Sequence, residues 1–289
     1  MTDKPQVASG YTSEQLSLVK STCLYVATKL GDLMDQTVVV GGLVPPLLIP
    51  AEDLAPGVEP HVGTMDLDLG LSLALLEDKR YEEMTKRLRR AGFEPDINIE
   101  GNLTRQRWKI ERPDGVKVTV DFLIAPISQT DRGGTIRSIE RDFAALITKG
   151  LALAFRDKRE VTLTGTTIFQ ERASRKIWIC GPGAFIVLKA LAFANRGDNK
   201  DAYDLYYVIR NYGQGIDDVY TGMAPLLQEK ETREALTVLQ RDFLNPDAIG
   251  PQRIAEFLGD VHDEGLKADV VGFVKELLSK CHIRPLSKS

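Results

Sequence analysis

The chain is poor in the residues that many metal and catalytic sites rely on. Its three cysteines, Cys23, Cys180 and Cys281, are far apart and odd in number. That spacing forms neither a zinc site nor a disulfide framework and fits a reducing cytosol, so a cytoplasmic location is expected. Each reads instead as a small buried apolar residue. Only His61, His262 and His282 are present, which argues against a histidine-rich metal site and a histidine-based hydrolase triad. No strong excess of charge exists either. The net charge of -4 gives no global basic footprint, so any nucleic-acid contact must be local. The most apolar helical stretch, GAFIVLKALAFA, is too short for a bilayer and carries Lys189 in its middle, so no membrane partner is expected. The N-terminus, MTDKPQVASGYTSEQ, is polar and does not read as a signal peptide. Internal repeats and low-complexity tracts are missing too.

What is present is enough chain, 289 residues, for one large domain or two modest ones. A first helix is expected at YTSEQ, where Thr12 and Gln15 have capping-box spacing. QTVVVGG reads as a buried strand ending in glycines, and a Pro-rich loop follows from Pro45 to Pro60. TMDLDLGLSLALL reads as a strand. A helix follows, capped by Asp78, with Tyr81, Met84, Leu88 and Ala91 inward and Gly92 at its end. RQRWKIER and VKVTVDFLIAP alternate at period two around the turn signal PDG. IERDFAALITKGLALAF reads as helix, and VTLTGTTIF and RKIWICG as short strands. From Pro182 onward nearly every segment has helical period. The expectation is an α/β (α+β) fold: a small mixed β-sheet core over residues 1–180 and a helical C-terminal region over 181–289.

The sharpest local feature is GTMDLDL. On a strand, Asp66 and Asp68 point to one face and Met65, Leu67 and Leu69 to the other. Aspartate is depleted in strands, and two carboxylates on one face repel unless a cation lies between them. An isolated pair reads first as the solvent-facing edge of a half-buried strand. A third carboxylate sharpens the reading. Asp121 shares a face with Lys117 and Thr119, so if its strand lies beside the first, three carboxylates converge. Such hard oxygen donors suit Mg²⁺, and two ions could clamp the attacking and leaving oxygens of a phosphoryl transfer. Gly41 and Gly42 then read as a place where the main chain comes close to phosphate, with a helix starting near Pro45 and Pro46. A dinucleotide turn is excluded, because no G-x-G-x-x-G is present.

A strand ending in Gly-Gly, then Thr-x-Asp-x-Asp from Thr64, then a lone strand aspartate resembles the nucleotidyltransferase superfamily of the DNA polymerase β type. Far downstream, FIVLKALAFANRGDNKDAYDLYYVIRNY is similar to the C-terminal motif of AbiEii-type nucleotidyltransferases, the toxin family of abortive-infection (phage-defence) and toxin–antitoxin systems. Lys189 and Arg196 match its first helix, and Lys200, Asp201 and Asp204 its second. The two blocks stand in the family's order between about Val38 and Tyr212. The interval from Gly42 to Asp66 is longer than the family spacing, because of the Pro-rich insert.

The resemblance implies transfer of an NMP from an NTP to an acceptor hydroxyl. The acceptor would be RNA, such as a tRNA end, or alternatively a protein side chain. It also implies a cognate antitoxin as partner. Asp66 and Asp68 would hold Mg²⁺ against the triphosphate, and Asp121 would complete a second metal position and help activate the acceptor. Gly41 and Gly42 would bind phosphate, and Thr64 would support the site by hydrogen bonding. Lys189 and Arg196 share a helix face and could point at the triphosphate or at Asp204. A buried ammonium needs a partner, so a structural Lys–Asp pair stands beside substrate contact. Arg105, Arg107 and Lys109 share one strand face and form a candidate acceptor surface, with Trp108 turned to the core. Two other readings remain: a nucleotidyltransferase with a small, antibiotic-type acceptor, and an inactive binding protein on the same fold.

Overall fold

Thr12 starts the first helix, Ser13–Leu30. Its side chain accepts from Gln15 N, and the Gln15 side chain answers at the Thr12 amide, the reciprocal capping box read from YTSEQ. The computed structural model describes residues 4–112 and 114–282. Two compact units divide the chain. The first is Met1–Lys4, Thr12–Val44 and Gly63–Cys180; the second is Pro5–Tyr11, Pro45–Val62 and Gly181–Ser289.

The first unit is α+β and is built on one mixed sheet. Its strands are β1 (Thr37–Val40), β2 (Asp66–Leu71), β3 (Glu94–Ile97), β4 (Leu103–Glu111), β5 (Lys117–Ile124), β6 (Ile136–Ser138), β7 (Ala144–Ile147), β8 (Lys158–Thr166) and β9 (Arg172–Cys180). Their order is β3-β4-β5-β2-β1-β9-β8. The edge of β5 that β4 leaves at Asp121 is taken up by β7, which runs parallel to it from Leu123. β1 is buried at every residue, as a central strand covered on both faces must be. Trp108, Phe122 and Phe143 pack edge to face beneath the sheet, each fully buried.

Three local expectations fail, each for a physical reason. The strand at TMDLDLGLSLALL ends at Leu71, because Ser72 accepts from Leu75 N and caps a short helix, Leu73–Glu77. Asp78 therefore closes that helix instead of opening Tyr81–Arg90. Within IERDFAALITKGLALAF, only Leu151–Arg156 is helical, while Ala144–Ile147 is β7, parallel to β5. A short apolar run is equally a buried strand, and Gly150 at φ 82 separates the two pieces. Of the PDG turn, Pro113 lies outside the described residues.

The second unit is helical: Pro182–Arg196, Asn199–Asn211, Ile216–Met223, Lys230–Asp242, Ile249–Leu258 and Glu264–Lys280. Pro182 opens the first of these, where a missing N–H costs nothing. Gly197, at φ 64, ends it. Asp198 then caps the next, its side chain accepting from Lys200 N. The Pro-rich segment belongs to this unit. It forms a helical turn at Pro45–Leu48 and a tighter one at Ala51–Asp53, and Tyr207 donates to Glu59 O at 3.1 Å.

Candidate active site

β2 and β5 lie side by side and parallel, with Asp66 opposite Thr119 and Asp68 opposite Asp121. Parallel neighbours in register put alternate residues on the same face. The three carboxylates therefore meet, with one oxygen from each within 4.8 Å of the others. Leu67, Leu69, Val120 and Phe122 point the other way into the core. Asp66 is the deepest of the three, 4% exposed.

Main chain closes on the cluster from β1. Val40 pairs with Asp68, and Gly41 follows at φ 72. A Cβ on Gly41 would stand 1.9 Å from Asp68 Oδ2, so only glycine allows this approach. Thr64 donates to Asp66 Oδ1 at 3.0 Å. Gly42 is buried beside it in the short turn Gly41–Leu43.

Three carboxylates this close need positive charge, and Arg107 and Lys4 supply it. Arg107 lies directly across from Asp121 in the antiparallel pair of β4 and β5. Its Nε and Nη2 donate to the two Asp121 oxygens at 2.6 Å each, a fork-to-fork pair. Its Nη2 is also 3.9 Å from Asp66 Oδ2. Lys4 Nζ reaches the same Asp66 oxygen at 2.7 Å. Burial pushes the Asp66 carboxyl up, but Lys4, the Thr64 hydroxyl and Arg107 together hold it below the usual carboxylate range. The hydrogen bonds and charge of Asp121 push the Arg107 guanidinium further up still, against the opposing effect of burial.

The donor set suits a hard divalent cation. It offers carboxylate oxygens only, and an ammonium already lies against its deepest oxygen at ion-pair distance. The three aspartates could hold one such ion in company with Gly41.

The other cations read as an acceptor surface each have a protein partner. Arg105 donates to Ser138 Oγ and Arg141 O, and Lys109 lies 3.4 Å from Glu94.

The second motif forms a buried charge network within the helical unit. Lys189 Nζ lies 2.9 Å from Asp201 Oδ1 and 2.6 Å from Asp204 Oδ2. Arg196 binds both oxygens of Asp201, at 2.6 and 2.8 Å. Lys200 Nζ takes Asp204 at 2.7 and 3.0 Å. Burial alone would push Lys189 down, yet Asp201 and Asp204 carry it upward. Burial likewise opposes the charge on Asp204, and Lys189, Lys200 and His61 hold that carboxyl far below its usual range. Of the readings open for Lys189, the Lys–Asp pair is the geometry observed.

Two residues of these sites escape a reading by motif. Lys4 contacts an aspartate 62 positions away, with no local pattern to announce it. His61 sits in the Pro-rich segment and completes the Asp204 network. Arg107 was legible: it stands seven residues before Asp114 and Asp121 seven after, so a turn centred there pairs them.

No protein-family model matches the chain, and no curated protein matches it. Among solved structures it is similar to an antigenic nucleotidyltransferase-like protein from Paracoccidioides brasiliensis, at 17% identity and a TM-score of 0.38. That match covers 79% of this chain and 94% of the other. At such identity and score the likeness decides nothing about activity. Among the described residues, no helix is long and apolar enough to cross a membrane.

Proposed function

We propose that the protein is a nucleotidyltransferase, moving an NMP from an NTP to an acceptor hydroxyl. One observation carries this reading: three carboxylates converge from adjacent parallel strands, with a glycine main chain against one of them. Asp66, Asp68 and Asp121 would hold Mg²⁺, which supplies positive charge to the triphosphate and the departing pyrophosphate. The chain's own residues position the rest. Thr64 fixes the Asp66 carboxylate, and Arg107 fixes that of Asp121. Gly41 and Gly42 let the main chain approach the phosphates. The acceptor hydroxyl oxygen attacks the α-phosphorus and releases its proton to solvent, the bond to the bridging β-phosphate oxygen breaks, and pyrophosphate leaves.

The resemblance of the two motifs to AbiEii-type enzymes supports RNA or a tRNA end as the acceptor, and a toxin role with a cognate antitoxin. In this reading Lys189, Lys200, Asp201 and Asp204 support the helical unit, where their charges are buried together. The test is incubation with Mg²⁺, each labelled NTP in turn, and total RNA or lysate, beside an Asp66→Ala/Asp68→Ala variant. Label is expected in RNA with the natural chain and not with the variant. Label on a small molecule would move the acceptor to the antibiotic type. No transfer from any NTP, or equal transfer by the variant, would sink the proposal.

A further inference from the structure

We propose that a divalent cation enters the aspartate cluster by displacing the Lys4 ammonium from Asp66, while Arg107 stays on Asp121 and restricts the cluster to one ion. This rests on the reading of Asp66, Asp68 and Asp121 as metal ligands. The two cations at the cluster are held very differently, and that difference carries the inference.

Arg107 is built in. It sits mid-strand in β4, its side chain 17% exposed, and both Asp121 oxygens accept from it. Removing it would strand a largely buried carboxylate, and a guanidinium does not lose its proton in a protein. Lys4 is the more exposed of the two. It lies outside any helix or strand, near the chain's start, and its side chain is 50% exposed. An ammonium is a point charge on a flexible stem, and it regains full hydration when it leaves. Both cations reach the same oxygen, Asp66 Oδ2, at 2.7 and 3.9 Å. A metal ion binding that oxygen must compete with the nearer one.

Charge balance points the same way. Among the groups named, three carboxylates and one guanidinium sum to −2, and one divalent cation cancels that. A second ion would add two positive charges beside a guanidinium bound to both Asp121 oxygens. Lys4 thus sets how tightly the first ion binds, and Arg107 sets how many bind. Lys4 thereby becomes a gate on metal entry, opened by the ion itself.

The experiment is Mn²⁺ titration of the chelator-treated full chain without nucleotide, read by calorimetry and by the spin-resonance signal of free Mn²⁺. One Mn²⁺ per chain is expected. Lys4→Gln should bind it about tenfold more tightly, the scale of one charge-assisted contact. Lys4→Arg should stay near the natural affinity. Arg107→Gln should admit a second ion, and Arg107→Lys should not. If Arg107→Gln fails to fold, the count on the natural chain still decides that half. Two ions on the natural chain would overturn the limit set by Arg107. Unchanged affinity in Lys4→Gln would overturn the displacement. An Asp66→Asn/Asp68→Asn chain should bind none. If the natural chain also binds none, the metal-ligand reading falls and takes this inference with it. If exchange behaves as stated but no nucleotide is transferred, only the proposed reaction falls.

Discussion

His61 Nε2 lies 2.9 Å from Asp204 Oδ1, and neither side chain is exposed to solvent. The ring stacks on Tyr203 at 5.1 Å and meets the edge of Tyr207 at 4.9 Å. Burial pushes the imidazole down to about 4 despite the upward pull of Asp204. Near neutral pH the ring is therefore uncharged, and its Nε2–H donates to a carboxylate that can only accept. Asp204 gathers this donor together with Lys189 and Lys200. The Pro-rich segment is thereby fastened to the helices of its own unit by a charge-assisted bond.

Burial of this ring makes stability depend on pH in a defined window. Unfolded, the ring takes a proton near 6.5; folded, only near 4. Between these values the unfolded chain binds the extra proton. Stability should thus rise with pH from about 4 to 6.5 and level off above. The span corresponds to about 3 kcal/mol at about 1.4 kcal/mol per unit. Urea midpoints measured across this range should climb in the natural chain. They should climb much less in His61→Phe, and equal slopes would remove His61 as the source.

Asp204→Asn should be among the most damaging single changes in the helical unit. It leaves Lys189 and Lys200 buried with far less negative charge, a loss of about 3–5 kcal/mol for a broken buried ion pair. Chemical denaturation should show it. A loss under about 1 kcal/mol would mean that water reaches the network.

Gly41→Ala tests the close approach at the aspartate cluster. The new Cβ would overlap Asp68 Oδ2, and φ 72 disfavours any side chain. The fold should lose about 1–3 kcal/mol and Mn²⁺ binding should weaken at least about tenfold. Natural Mn²⁺ affinity in this variant would show that Asp68 is no ligand.

Two helical glycines should respond in opposite directions. A Cβ on Gly183 would meet Gly222 O at 2.4 Å and Met223 Cα at 2.7 Å, where two helices cross backbone to backbone. Gly183→Ala should destabilise by at least about 1–3 kcal/mol. Gly272, exposed within Glu264–Lys280, has open space at its Cβ, so Gly272→Ala should stabilise by about 0.5–1 kcal/mol. Melting temperatures of the two variants decide it, and a shift of the same sign in both would reject the packing argument.

Much of this architecture was legible residue by residue. The Thr12–Gln15 cap, the β4–β5 pair and the opposed faces of Asp66–Leu67 depend on interactions within a few residues or across one turn. Periodicity and capping report such interactions directly. The helix expected over Ala144–Ile147 failed because a four-residue apolar run has no decisive period, and its parallel partner β5 lies some twenty residues upstream. Asp78 failed as a cap because Ser72 had already started another helix.

By itself, the sequence determined the first helix cap and which acidic side chains share a strand face, since capping is local and alternation along a strand follows from backbone geometry alone. The tertiary structure decided which cations meet those acids. It set Lys4 against Asp66, and it turned Lys189 and Arg196 onto Asp201. It also drew His61 from a proline-rich segment to Asp204. A charge acts over a few ångströms in space whatever its distance along the chain, so its partner is fixed only once the chain path is fixed.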